Sequence, residues 1–93
     1  MQRETQKAQK RPQNLLLEDR GRLLVSGVTD VDSFDEGAVL LFTDLGALVI
    51  RGQELHIDRI DLEVGEVAVT GCITALIYDE SRVKGGFLAR LLR

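Results

Sequence analysis

The chain has 93 residues, enough for one small domain, and 44% of them are hydrophobic, which is ordinary for a globular protein. Its single cysteine, Cys72, excludes an internal disulfide and a cysteine-rich metal site, and we predict that it is a small core residue. No apolar run approaches the roughly 20 residues that span a bilayer. Residues 1–14 lack the apolar segment of a secretory signal, so we expect a cytoplasmic protein.

The net charge of −3 conceals a strong segregation along the chain. Residues 1–14 carry four basic and one acidic residue (4 − 1 = +3), and residues 82–93 carry four basic residues and no acidic one (+4). Residues 15–81 carry four arginines against fourteen acidic residues (4 − 14 = −10). An acidic body argues against nucleic acid as a partner, because nucleic acid selects a basic face. The basic ends suit an anionic membrane surface.

The chain begins with residues 1–14, which are polar and glutamine-rich and predict a disordered basic arm. A short strand at 15–17 and a turn follow. Residues 21–27 then have the form Gly-x-apolar-x-apolar-x-Gly, which recurs at 46–52 and 65–71. Alternation of period two predicts a half-buried strand in each copy, and the bracketing glycines permit turns or bulges.

Between the first two copies, residues 28–34 predict a bent strand, because they are rich in β-branched side chains. Residues 38–43 are nearly all apolar, which predicts a strand covered on both faces. The tight connection at 44–46 predicts an antiparallel hairpin with the second glycine-bracketed strand.

Residues 53–64 alternate, slip by one residue at Arg59 and alternate again, which predicts a β-bulge. A last strand is predicted at 73–78. The acidic β domain therefore spans 15–79, and its seven or eight short strands predict an all-β fold, either a small antiparallel β-sandwich or a strongly curved sheet. A short β-solenoid is the alternative, although the glycine-bracketed copies start 25 and 19 residues apart, which is uneven for a solenoid.

Residues 80–93 form a linker and a basic tail. The apolar residues of the tail follow helical spacing, which predicts a short amphipathic helix; they are Phe87, Leu88, Leu91 and Leu92. Seven residues are too few to hold a helix alone, so the tail must dock on its own domain, on a partner or on a membrane.

The search for catalytic and metal-binding residues yields no constellation. His56, the only histidine, lies on the polar face of a predicted strand. Ser33 would need a base to act as a nucleophile, and His56 is the only candidate. Asp30, Asp32 and Asp35 lack the ligand order of an EF-hand. We therefore predict that the protein is not an enzyme and uses no metal or cofactor.

Three segments of the chain resemble the YabP/YqfC sporulation family and are nearest to its YabP branch. They are residues 24–35 with the pattern GVTxVxSFD, residues 51–57 with the pattern RGQxLxI, and the basic end that begins Lys84-Gly85-Gly86-Phe87. The motif residues of the first two segments are Gly27, Val28, Asp32, Ser33, Phe34, Asp35, Arg51, Gly52 and Gln53.

The resemblance implies a non-enzymatic protein of endospore-forming bacteria that is made in the mother cell, is required for spore cortex formation and has a membrane protein as its partner. Together with the charge segregation, it predicts an interaction module at the forespore-enclosing membrane. The candidate interaction residues are those of the tail: Phe87, Leu88, Arg90, Leu91, Leu92 and Arg93. The alternative is a structural β protein that assembles into rings or filaments through exposed strand edges.

Overall fold

The structure, a computed structural model, describes residues 12–80. They form one sheet of six strands and no helix, with the strands at β1 (Leu15–Glu18), β2 (Arg22–Val25), β3 (Val28–Phe34), β4 (Ala38–Thr43), β5 (Gly46–Asp61) and β6 (Glu66–Asp79). The strand order is β1-β2-β6-β5-β4-β3, and every neighbouring pair is antiparallel. The prediction of an all-β antiparallel fold is confirmed, and the solenoid alternative is wrong because solenoid strands stack in parallel.

Two of the strands are much longer than the sequence pattern predicts. β5 has 16 residues and β6 has 14, so the described residues hold six strands rather than seven or eight. Each long strand joins a glycine-bracketed copy to the alternating segment after it, because Gly52 and Gly71 lie inside the strands, next to shifts of register, and not at strand ends. The predicted tail helix, and residues 1–11 of the predicted arm, lie outside the described residues.

Several local predictions are confirmed in the structure. The hairpin through residues 44–46 joins β4 to β5. The slip at Arg59 is a shift of register between β5 and β6, as expected for a bulge. β3 is a bent strand with two register shifts of its own against β4.

The sheet cannot be flat, because of the short connection between β2 and β3. In a flat sheet these strands would lie four positions apart, which is about 19 Å at about 4.8 Å per position. Only Ser26 and Gly27 join them, and the three residue steps from Val25 to Val28 span at most about 11 Å. The sheet must therefore fold over so that its two ends approach each other.

The fold divides the sheet into two layers. β4 pairs only with residues 46–51 of β5, whereas β2 pairs only with residues 67–70 of β6. The first layer is β3, β4, the first half of β5 and the second half of β6, and the second layer is β1, β2 and the two remaining halves. The amide of Val28, at the start of β3, donates to the carbonyl of Gly65 in the β5–β6 turn at 2.9 Å, which ties one layer to the other.

The two layers enclose one aliphatic core. Eleven side chains, each no more than 3% exposed, form it: Leu23, Val25, Val28, Val39, Leu41, Leu48, Ile50, Leu55, Val67, Val69 and Ile73. Both layers contribute, with Leu41 and Leu48 opposite each other in the first and Leu23 and Val69 in the second. Since residues 12–80 provide no helix and no second sheet, the layers cover each other.

Gln13 and Asn14, which precede β1, form hydrogen bonds with the β2–β3 connection and with the end of β6. The Gln13 side chain donates to the carbonyl of Ser26 at 3.0 Å, and the amide of Asn14 donates to the Ser26 hydroxyl at 3.0 Å. The Tyr78 hydroxyl donates to Oε1 of Gln13. Partial burial raises the pKa of Tyr78, so this donor keeps its proton throughout the physiological range. Residue 13 therefore lies beside the last residues of β6.

Leu23 and Leu24 are neighbours in β2 that test this assignment of faces. Leu23 is 0% exposed in the core and Leu24 is 38% exposed on the outside. We expect Leu23→Ala to lower the free energy of unfolding by about 2–5 kcal/mol, since it leaves a cavity, and Leu24→Ala to lower it by less than about 1 kcal/mol. Urea unfolding followed by circular dichroism measures both, and equal losses would contradict the two-layer core.

Candidate functional site

The first two motif segments meet where the sheet bends. Oδ1 of Asp35, which ends the first segment, accepts from the amides of Gly37 at 2.7 Å and Ala38 at 2.9 Å. This carboxylate holds the β3–β4 turn, as aspartate commonly does in turns. The carbonyls of that turn then accept from the second segment: Gly37 from the amide of Gly52 at 3.0 Å, and Glu36 from the amide of Leu55 at 2.9 Å.

The bend itself is made by bulges in the β5–β6 ladder. Register shifts lie between Arg51 and Gly52, between Gln53 and His56, and between Ile57 and Arg59. Each places one more residue on one strand than on the other, which bends the ladder and increases its twist. The motif residues of the second segment are therefore the residues that turn β5 from the first layer into the second.

Glycine is required at two positions of this bend. A Cβ at Gly52 would collide with the carbonyl oxygen of Cys72 on β6. Gly71 has a φ of +132°, and a Cβ there would lie 2.6 Å from the carbonyl oxygen of Glu54 on β5. The two backbones approach too closely for any side chain at either site.

The opposite side of the bend is fixed in a similar way by the β1–β2 turn. The carbonyl of Gly21 accepts from the amide of Gly71 at 3.1 Å, and the carbonyl of Arg20 accepts from the amide of Ile73 at 2.8 Å. Nε of Arg20 donates back to the carbonyl of Ile73 at 3.0 Å. Each flanking hairpin thus places its turn against one of the two bulged strands.

A matched pair of glycines tests the close approach. We expect Gly52→Ala to lower the free energy of unfolding by about 3 kcal/mol or more, because the added methyl group meets a backbone carbonyl that cannot move away without breaking the ladder. Gly37→Ala should change it by less than about 1 kcal/mol, because the nearest atom to the new Cβ lies at 3.6 Å. Thermal unfolding of both variants checks this, and a stable Gly52→Ala protein would contradict it.

The residues considered for catalysis do not come together. His56 is exposed on the outside of the second layer, where its register partner is Thr70. Ser33 is exposed on the outside of the first layer, opposite Leu40. The only base available to Ser33 therefore lies on the other side of the domain.

Two of the three aspartates considered for calcium, Asp30 and Asp35, accept hydrogen bonds from backbone amides. Oδ1 of Asp30 accepts from the amide of Val31 at 2.8 Å, and Asp35 holds the turn. Within residues 12–80, no group of three histidine, cysteine or acidic side chains is placed to hold a metal ion. These contacts agree with the interpretation of this segment as a bend supported by side-chain hydrogen bonds to the backbone.

The prediction that Cys72 is a core residue is wrong. Cys72 is exposed and pairs with Gln53, whereas its neighbour Ile73 is 2% exposed. Counting in twos from the buried Val69 places Ile73 inside and Cys72 outside, which is what the structure shows.

The outer face of the second layer contains a small cavity of about 270 Å³. Leu16, Leu24 and Ala68 share one row across this layer and line the cavity together with Arg22 and Arg59. The two cations have acidic neighbours: Arg22 lies 3.3 Å from Asp58, and Arg59 lies 3.8 Å from Glu66. Charges are therefore mixed and balanced on this face.

The outer face of the first layer is apolar instead. One row across it reads Asp30, Phe42, Ala47 and Asp79, and the next reads Ser33, Leu40, Val49 and Ile77. We call the apolar residues of these two rows, with Ala75 from the adjoining row, the apolar outer face: Leu40, Phe42, Ala47, Val49, Ala75 and Ile77. Only Ile77 of these six residues is exposed, at 45%; Ala47 is 0% exposed and the other four are half-buried, so the face offers little exposed apolar surface.

Sequence reasoning gave only a partial signal for this face. The unbroken apolar run of β4 predicts coverage on both sides, and the inner residues Val39 and Leu41 are buried as expected. The outer residues Leu40 and Phe42 are half-buried. The run could not show that β5 and β6 would extend the same apolar surface.

Comparison with known proteins gives one consistent result. The profile of the YabP family matches residues 9–85. The chain is also 36% identical over 83 residues to "Spore protein YabP" of Bacillus subtilis (strain 168), an alignment that covers 86% of this chain and 83% of that protein. The match includes all of the first two motif segments, so the resemblance noted in the sequence is confirmed.

Proposed function

This chain belongs to the YabP family of sporulation proteins, and we propose that it is a non-enzymatic interaction module required for spore cortex formation. In this proposal it is made in the mother cell and binds a membrane protein at the forespore-enclosing membrane. The proposal requires a part of the chain that attaches it to the membrane surface or to a protein in that membrane. None of the described residues forms a helix that is long and apolar enough to cross one.

The position of the two basic ends supports this proposal most directly. The contact between Gln13 and Tyr78 brings the first and last described residues of the chain together. The described body therefore begins and ends in the same region; the sequence before it, residues 1–11, has a charge of 4 − 1 = +3, and the sequence after it, residues 81–93, has a charge of +4. The body between them, residues 12–80, has a charge of 4 − 14 = −10.

Such a one-sided arrangement gives the protein an orientation at an anionic surface. Each basic residue near such a surface contributes about 1 kcal/mol of attraction, whereas the acidic body is repelled. The apolar residues of the tail add burial in the interface between water and lipid, which basic charge alone does not provide. Attachment through the ends leaves the two layers free to contact a protein partner.

Deletion of residues 85–93 tests the attachment. We expect the truncated protein to leave the membrane fraction of sporulating cells and to support less cortex formation, while its β-type circular dichroism stays unchanged. The matched control is deletion of residues 1–11, which removes more charge (+3 against +2) but no apolar tail. Membrane association that survives the first deletion, or is lost equally in both, would contradict a role for the tail.

The alternative function, self-assembly into rings or filaments, has one specific observation in its favour. The outer edge of β6 has no neighbouring strand from residue 74 to its end within the described part of the chain. Residues 73–78 of this edge carry no charge and no proline, whereas the free edge of β5 carries Asp58, Arg59 and Asp61. Edges without such residues pair readily with another chain.

Two copies of this edge match each other when they run antiparallel. With Leu76 opposite Leu76, Thr74 faces Tyr78 and Ala75 faces Ile77, so no charge is opposed within residues 74–78. We expect light scattering of concentrated wild-type protein to show a mass above the monomer if this edge is used. Thr74→Lys should then restore the monomer, whereas Thr74→Val and His56→Lys should not. A wild-type monomer at high concentration would rule out this function.

A further inference from the structure

We propose that the opening between β3 and the second half of β5 binds an extended segment of a partner protein in which basic and apolar residues alternate. The site is argued from the structure, and only the identity of the partner as a membrane protein rests on the proposed function. We call this opening the seam and define it by the apolar side chains at its two edges: Val31, Phe34, Ile57 and Ile60.

Two hydrogen bonds hold β3 beside the second half of β5. The amide of Val28 donates to the carbonyl of Gly65 at 2.9 Å at one end, and the amide of Leu55 donates to the carbonyl of Glu36 at 2.9 Å at the other. Between these bonds the two strands run in opposite directions, yet they are not ladder partners, because β3 pairs only with β4. The seam between them is about 26 Å long, for the eight residue steps from 28 to 36.

Phe34 and Ile60 are inward-facing side chains that remain exposed at the seam. Their register partners, Val39 and Val67, belong to the core, so both side chains lie on the inner face of the sheet. Nevertheless, Phe34 is 60% exposed and Ile60 is 47% exposed, because no strand lies beside either of them. Burying apolar surface stabilises a complex by about 25 cal/mol per Å², so an apolar side chain that enters here extends the core outward.

The floor of the seam is apolar as well. Val31 on β3 and Ile57 on β5 are partly buried and pack against the core. At the end near Gly65, the side chain of Val64 in the β5–β6 turn is exposed. A ligand that follows the seam therefore meets apolar side chains in its middle and at this end.

Acidic side chains surround the seam. Asp32 lies on β3, and Glu63 lies in the β5–β6 turn at one end. Glu36 and Glu54 lie at the other end, where the β3–β4 turn meets β5. All four are exposed, and no cation within residues 12–80 pairs with any of them. A partner with basic side chains is therefore attracted to the seam.

The shape of the seam fits an extended strand. β3 has a neighbour only on the side of β4, and β4 pairs with β5 only over residues 46–51, so two backbone edges border the seam. A strand that pairs with either edge gains main-chain hydrogen bonds, and its side chains point alternately into the seam and out of it. Apolar residues at every second position would contact Phe34 and Ile60, and basic residues between them would lie among the carboxylates.

Other occupants suit the seam less well. The tail has helical spacing, so an extended strand would point Phe87 into the seam and the equally apolar Leu88 out of it. Residues 1–11 contain only Met1 and Ala8 as apolar residues. A second copy, an anionic lipid surface or a nucleic acid would be repelled by the carboxylates. The seam therefore favours a different, basic protein.

A membrane protein can provide such a segment. Cytoplasmic segments next to transmembrane helices carry an excess of lysine and arginine. Under the proposed function, the seam binds a segment of this kind from the membrane partner, while the basic ends of the chain contact the membrane surface.

NMR titration of the full chain tests the site. The probe is a blocked peptide of about eight residues in which lysine and valine alternate, which matches the length of the seam. It should shift the methyl signals of Val31, Ile57 and Ile60 and leave those of Leu24 unchanged. The control peptide has the same composition in pairs of lysines and pairs of valines, and it should bind about tenfold more weakly or less. Equal binding of both peptides, or unchanged signals at the seam, would overturn the proposal.

Charge reversal tests the acidic rim. Asp32→Lys/Glu63→Lys should weaken binding of the alternating peptide by about tenfold or more. The control, Glu18→Lys/Glu80→Lys, changes the net charge equally at exposed residues on β1 and after β6, and it should have less than about a threefold effect. Phe34→Gln should also weaken binding, without a change in charge. Equal losses in the two charge-reversed proteins would overturn the proposal, as would seam signals that shift when residues 85–93 are deleted, because the tail would then be the occupant.

Cortex formation in cells that produce only Asp32→Lys/Glu63→Lys separates this proposal from the proposed function. Loss of the cortex at an unchanged protein level, with a normal cortex in Glu18→Lys/Glu80→Lys, supports the seam as the site of the membrane partner. A normal cortex in both overturns that assignment and leaves the proposed function standing. If deletion of the whole chain leaves the cortex normal, the proposed function is wrong, whereas binding of the alternating peptide still supports the seam.

Discussion

Where β5 and β6 cross the middle of the sheet, their backbones approach so closely that glycine alone fits at positions 52 and 71. Bulges on both strands make this approach possible, and they direct each strand from one layer into the other. The core depends on that change of direction. Without it, the inner face of a single sheet would be open to water over its whole area.

The two short hairpins stabilise the bend from opposite sides. The turn before β4 accepts hydrogen bonds from β5, and the turn before β2 accepts them from β6. This explains why the two segments that carry the family resemblance are far apart in sequence and adjacent in space. One segment supplies the aspartate that holds a turn, and the other supplies the glycine that the turn binds. Their shared role in this fold is structural.

Local sequence pattern predicted the elements of this fold well. Alternation identified the strands, the tight connection at 44–46 identified a hairpin, and the slip at Arg59 identified a bulge. The pattern could not distinguish a glycine at a strand end from a glycine in a bulge, because both uses rely on the missing side chain. Whether a glycine ends a strand or lies in a bulge depends on the strand opposite it, and that strand is remote in sequence. The wrong prediction for Cys72 has a different origin, because alternation from the buried Val69 already places this residue on the outside.

Prediction of the candidate site was limited by the same non-local contacts. The separation of His56 from Ser33 follows from their placement in different layers, which no pattern of spacing contains. The apolar outer face requires three strands to be neighbours in the order β4, β5, β6, and only the pairing shows this. Charge segregation was readable from the sequence, but the meeting of Gln13 with Tyr78, which brings the first and last described residues near each other, was not.

The pairing of β2 with β6 also affects how the chain folds during synthesis. Val25 pairs with Val67, and 67 − 25 = 42 residues separate them, whereas β3, β4 and β5 follow one another as local hairpins. A ribosome adds about 5–20 residues per second, so the first hairpin waits for seconds before its neighbour in the sheet exists. During that interval its leucines, at 15, 16, 17, 23 and 24, have no sheet to join. The nascent chain is therefore most prone to aggregation before its last strand leaves the ribosome.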